Sequence, residues 1–114
     1  MILFLRNDNL VRLKNFEDKS VDPAVPFDLA TVTAELLDPD DLGGTPLVAP
    51  QTLAKEASVA GTYSAIWDKA LLSPGSVDLA EGEYVLRYKA VEGTADLEKD
   101  VWIEVRLRTE DIND

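Results

Sequence analysis

The 114 residues carry 22 Asp and Glu against 11 Lys and Arg, a formal charge of −11, with 46% hydrophobic residues and neither cysteine nor histidine. That balance repels phosphate backbones and anionic lipid, so direct nucleic-acid binding and membrane attachment are excluded as expectations. Without Cys or His there are no disulfides, Cys-based zinc sites, thiol nucleophiles or Ser-His-Asp triads, and the length suits one domain around one core.

Residues 1–5 are five apolar residues ahead of Arg6 and Asn7. A signal-peptide core needs about 7–15, so no export signal is expected. Nor does any window approach the roughly 18–20 apolar residues of a membrane span. Residues 9–16 alternate, with Val11 and Leu13 set against Leu10, Arg12 and Lys14, which predicts a first strand with Val11 and Leu13 inward. The clearest early strand is 30–36, where Ala30, Val32, Ala34 and Leu36 share one face and Thr31, Thr33 and Glu35 the other. Asp38-Pro39-Asp40-Asp41-Leu42-Gly43-Gly44 then forms a dense turn signal.

Residues 52–59 contain Leu53 and Val59 around a helix-compatible middle and are read as a weaker strand. Residues 61–67 put Tyr63, Ala65 and Trp67 on one face, 68–72 suit a helical turn, and Ser73-Pro74-Gly75 is a turn. In 83–91, Tyr84, Leu86, Tyr88 and Ala90 alternate with Val85, Arg87, Lys89 and Val91. In 101–108, Val101, Ile103, Val105 and Leu107 oppose Trp102, Glu104, Arg106 and Arg108. Residues 92–96 read as the hairpin connection between these two strands, which are expected to be antiparallel neighbours, with 96–100 either extending the second or belonging to the loop.

Short strands separated by Gly, Pro and Asp turns, with no long amphipathic helix, predict an all-β fold, an immunoglobulin-like antiparallel β-sandwich of about seven strands. A single domain over 1–114 is expected, with its core at 8–108 and an acidic tail at 109–114.

Three groups of residues invite a chemical reading. Asp38, Asp40 and Asp41 are spaced like oxygen ligands of a calcium ion, but counted as an EF-hand loop from Asp38 the sixth position is Gly43 and the twelfth is Ala49 rather than Glu. A solvated turn in which Asp side chains cap backbone amides is the favoured reading. A carboxylate pair for glycoside hydrolysis is uninformative among so many acids, since every acid falls in a turn or on a polar strand face and no activated site is visible. The chain is therefore not read as an enzyme, and no cofactor is expected. Trp102, with Arg87, Lys89, Arg106 and Arg108 around it, forms a candidate interface: a basic, partly apolar sheet face on an acidic protein, suited to self-association against an acidic loop. The competing reading packs Trp102 across the sheet against Arg87 or Val85.

The order of elements also resembles a known group. Residues 8–13 (Asp-Asn-Leu-Val-Arg-Leu), 30–38, Gly61-Thr62-Tyr63-Ser64-Ala65, Glu81-Gly82-Glu83-Tyr84-Val85-Leu86 and Val101-Trp102-Ile103-Glu104-Val105 together resemble small Ig-like virion proteins of tailed bacteriophages and prophages, found among head–tail and tail genes. The resemblance covers about residues 8–108. It implies a non-catalytic assembly role, made in the bacterial cytoplasm and ending in the virion, with other virion proteins or further copies of the chain as partners. It transfers no functional residue, and residues 39–60 are longer and more acidic than a simple hairpin. The alternative is an extracellular or cell-surface Ig-like module binding carbohydrate or calcium through loops such as 38–44.

Overall fold

Alternation of apolar and polar residues decides which strands form and which way each faces. The computed structural model describes residues 1–14, 16–18, 25–26 and 30–107. Seven strands follow one another in a continuous hydrogen-bonded order: β1 (Ile2–Leu5), β2 (Asn9–Leu13), β5 (Thr31–Leu37), β6 (Val48–Lys55), β7 (Tyr63–Trp67), β8 (Gly82–Glu92) and β9 (Ala95–Leu107). A two-residue pair, β3 (Glu17–Asp18) with β4 (Val25–Pro26), stands apart from them. Short 3₁₀ turns, Lys69–Leu72 and Pro74–Ser76, are the helical elements among the described residues.

The order β1-β9-β8-β5-β6-β7-β2 folds into two layers because β6 serves both. Its first part pairs with β5 (Val32 with Leu53, Leu36 with Val48), and its last residues pair with β7 (Ala54 with Ser64, Lys55 with Tyr63). One layer is then β1-β9-β8-β5-β6 and the other β6-β7-β2. The first strand runs parallel to the last, and the described neighbours are otherwise antiparallel. This is the immunoglobulin-like arrangement, an all-β sandwich. A local signature agrees with it: at the start of β8 the Tyr84 hydroxyl donates to the Ala80 carbonyl at 2.5 Å, the tyrosine corner of such folds.

The core lies between the layers. Val11 and Leu13 from β2, Tyr63 and Trp67 from β7, Val32, Ala34 and Leu36 from β5, Leu86, Tyr88 and Ala90 from β8, and Ile103 and Val105 from β9 are all buried in one cluster. The inward faces expected for β2, β5, β7, β8 and β9 are those observed. Two tyrosines tie the layers together with their hydroxyls. Tyr88 of β8 donates to the Arg12 carbonyl of β2 at 3.3 Å, and Tyr63 of β7 accepts from the Ala30 amide at 3.2 Å.

Three boundaries differ from the sequence expectation. Residues 2–5 form β1, and Leu3 and Leu5 are buried, so the core begins there rather than near residue 8. The weak strand expected at 52–59 lies earlier, at Val48–Lys55, and Val59 is 40% exposed in the turn that follows. Residues 96–100 extend β9, so the hairpin connection is only Gly93-Thr94, with Glu92 opposite Ala95 and Gly93 at φ 61°. A two-residue turn needs such a positive φ, which glycine adopts without steric cost.

At two places along the sheet edges a side chain of the protein itself occupies backbone groups. After β1 the chain reverses through Arg6, whose φ is 62°, into β2. Asn9 is 7% exposed, and its side-chain amide accepts from the Phe4 amide at 2.8 Å and donates to the Phe4 carbonyl at 3.0 Å. A side chain thus does for Phe4 what a neighbouring strand would do. On β6, Pro50 has no amide to offer, and the Ala49 carbonyl accepts from Gln51 Nε2 at 2.9 Å. Backbone groups occupied in this way are not free to pair with an added strand.

Replacing Asn9 with Ala leaves both Phe4 backbone groups without that partner, and we expect a loss of about 1–3 kcal/mol in denaturant unfolding together with faster amide exchange at Phe4. Unchanged stability and unchanged Phe4 protection would show that the clamp contributes nothing.

Candidate docking face

Because Leu86, Tyr88 and Ala90 of β8 point into the core, Val85, Arg87 and Lys89 point to the outside of the larger layer. Antiparallel register then sets their neighbours. Across β8 and β9, Glu83 faces Glu104, Val85 faces Trp102, Arg87 faces Asp100 and Lys89 faces Glu98. Across β8 and β5, Val85 faces Leu37 and Arg87 faces Glu35. On the far side of β9, parallel β1 puts Ile2 beside Glu104 and Phe4 beside Arg106. The outer face is therefore fixed by one tight turn and two registers.

Its charges are paired within the chain. Arg87 donates from Nε to Asp100 at 2.7 Å and from Nη2 at 2.9 Å, and lies 3.2 Å from Glu98. The hydrogen bonds with Arg87 hold the Asp100 carboxyl below the usual carboxylate range, and reciprocally raise the guanidinium's affinity for its proton. Lys89 lies 3.3 Å from Glu35, which is 5% exposed, and Arg106 pairs with Glu104 two residues back, Nε to Oε2 at 2.6 Å. The expectation of a basic face is thereby corrected. Arg87, Lys89 and Arg106 do share it, but each meets a carboxylate from its own or a neighbouring strand, which alternation along a single strand does not reveal. Arg108, the fourth expected base, lies outside the described residues.

The acidic loop folds back onto this same face. Arg87 Nη1 donates to the Leu42 carbonyl at 3.2 Å, and the Leu47 amide returns to the Leu36 carbonyl at 2.8 Å. Leu37 and Val85, although directed outward, are 1% and 2% exposed. Within the loop the Asp38 carboxylate caps the Asp40 amide at 2.9 Å, while the Asp41 amide donates to the Asp38 carbonyl at 2.9 Å. The Asp41 carboxylate lies over Gly44 so closely that a Cβ there would fall 2.1 Å from its Oδ2. Only glycine fits. Among the described residues no three acidic side chains gather in one place, and the Asp38 carboxylate caps the turn.

Trp102 is the most exposed large apolar side chain of this face, ahead of Val91 at 48%. It stands beside Val85, as the cross-strand packing reading expects, yet remains 61% exposed. A shallow open depression beside it is lined by Met1, Glu83, Trp102, Ile103 and Glu104, with Ile2 next to Glu104 across the β1–β9 pair. Met1, Ile2 and Glu83 were not among the residues singled out from sequence. Placing the hairpin turn at Gly93-Thr94 would have put Glu83 opposite Glu104, but nothing local marks residues 2–5 as a strand parallel to β9. No helix among the described residues is long and apolar enough to cross a membrane. The chain matches no protein-family model, no curated protein and no solved structure.

The Arg87–Asp100 pair makes an acid-side prediction. A carboxyl whose folded pKa is depressed adds stability that is full above its unfolded value, about 3.9 for Asp, and is lost as pH falls through the lower folded value. Asp100→Asn should therefore lower Tm at neutral pH and flatten the fall of Tm below about pH 4. A variant whose Tm tracks the parent at every pH would remove the pair from the account.

Proposed function

We propose that the chain is a non-catalytic structural module, a virion component of a tailed bacteriophage or prophage, made in the bacterial cytoplasm, that docks on other virion proteins through the outer face of β1, β9 and β8. The observation that carries this reading is Trp102: a large aromatic side chain 61% exposed on a β-sheet face, just beyond the point where β1 begins to pair with β9. Truncation-sensitive interface residues are enriched in Trp, and exposed apolar area beyond isolated residues marks docking surfaces. Met1 and Ile2, 50% and 41% exposed, widen the apolar area around it.

The sequence resemblance to small Ig-like virion proteins supports the same reading, since the segments that carry it include parts of β8 and β9. The loop-binding alternative draws less support, because the Asp38 carboxylate is already engaged by the Asp40 amide.

The test is co-expression with the products of the genes flanking its own. The chain should co-elute with one of them in fixed stoichiometry, and Trp102→Ser, shown folded by its circular dichroism and Tm, should elute alone. Co-elution that survives Trp102→Ser would remove this face from the interface, and turnover of a substrate at a defined carboxylate pair would overturn the non-catalytic reading.

A further inference from the structure

Resting on the reading of this face as a docking surface, we infer that the depression beside Trp102 receives an arginine side chain of the protein partner, its guanidinium stacked on the indole and bonded to Glu83.

Four observations converge on a cationic guest with an apolar stem. First, an exposed indole face attracts cations through the ring quadrupole, and Trp is the strongest of the aromatic side chains in this respect. Second, Glu83 and Glu104 stand directly opposite each other on β8 and β9, and like charges in that position repel. Arg106 engages Glu104 from two residues along the same strand. Glu83 is exposed and has no ion-pair or hydrogen-bond partner among the described residues, so an incoming cation meets an unneutralised carboxylate. Third, Met1 lines the depression and Ile2 flanks Glu104, apolar surface suited to the methylene stem of a long basic side chain. Fourth, the formal charge of −11 steers basic partners toward the molecule and disfavours acidic ones.

Arginine fits better than lysine. Its planar guanidinium stacks on an aromatic face while its edge donates two parallel hydrogen bonds to a carboxylate, which a point-charge ammonium does not do. A second copy of the chain fits poorly. Its own Arg87, Lys89 and Arg106 are engaged by carboxylates, and face-to-face contact would bring Glu83 and Glu104 against their own copies.

The Trp102 indole N–H resonance reads the site directly, assigned by its loss in Trp102→Phe. The probes are the acetylated methylamides of arginine, lysine and citrulline, the last being the neutral isostere of arginine. Titration with the arginine probe should shift that resonance saturably at millimolar concentration, the lysine probe less so, and the citrulline probe not at all. Glu83→Gln should weaken arginine binding about two- to fivefold, the range expected of an exposed ion pair. Asp96→Asn, which removes the same charge from the far end of the hairpin, should leave it unchanged. A citrulline response equal to that of arginine, an Asp96→Asn loss equal to that of Glu83→Gln, or no saturable shift would each overturn the inference. Should the titration fail while Trp102→Ser still abolishes co-elution, the arginine assignment falls and the docking face stands.

Discussion

One side chain sets the starting geometry of the sandwich. Asn9, buried at the reversal between β1 and β2, offers its amide to both backbone groups of Phe4 and so stands in for a strand that is not there. A buried polar group is tolerated only when its hydrogen bonds are made, and here the bonds also satisfy a backbone that would otherwise be an open edge. With β1 held at that angle, it can lie parallel to β9 and deliver Leu3 and Leu5 to the core. The same placement brings Met1 and Ile2 to the outer face beside Glu104 and Trp102. The apolar rim of the candidate docking site is therefore a consequence of how the first and second strands are joined.

The β8–β9 hairpin then acts as the ruler for everything on that face. Its two-residue turn at Gly93-Thr94 fixes the pairing from Glu92 and Ala95 down to Gly82 and Val105. One residue of slip would turn Trp102 into the core and Ile103 out of it. Held in this register, the bases find carboxylates on the strands around them, and Arg87 has a donor left to fasten the acidic loop through Leu42. Charge pairing and loop closure thus occupy Arg87, Lys89 and Arg106, while Glu83 beside Glu104 and Asp96 near the turn keep carboxylates exposed. What remains accessible is an indole, some apolar surface and these carboxylates.

Sequence patterning was enough to read most of this architecture. The inward faces of Val32, Ala34 and Leu36, of Leu86, Tyr88 and Ala90, and of Ile103 and Val105 followed from period-two alternation alone, and so did the outward face that carries Trp102. The strand at 2–5 was not legible, because the five apolar residues at the start of the chain show no polar alternation to mark a strand or its partner. The shift of the weak strand to Val48–Lys55 was hidden by a Leu-Ala-Lys-Glu stretch that suits helix and strand alike. The basic character expected of the docking face was an error of the same kind: Arg87, Lys89 and Arg106 are visible along their strands, whereas Glu35 and Asp100 become their partners only through register. Asp38 shows the reverse case, a turn residue whose capping role was readable from its neighbours and was found in the structure.

An account in which a negatively charged module presents one aromatic site to a basic partner makes a demand on the isolated chain. The docking faces of two copies should repel each other. Light scattering across a concentration series is the most direct measurement of that demand. The account predicts a mass of 12.5 kDa that does not change with concentration at moderate salt. A dimer or ring that forms with rising concentration and dissociates on Trp102→Ser would contradict it, by showing that the occupant of this face is another copy of the same chain.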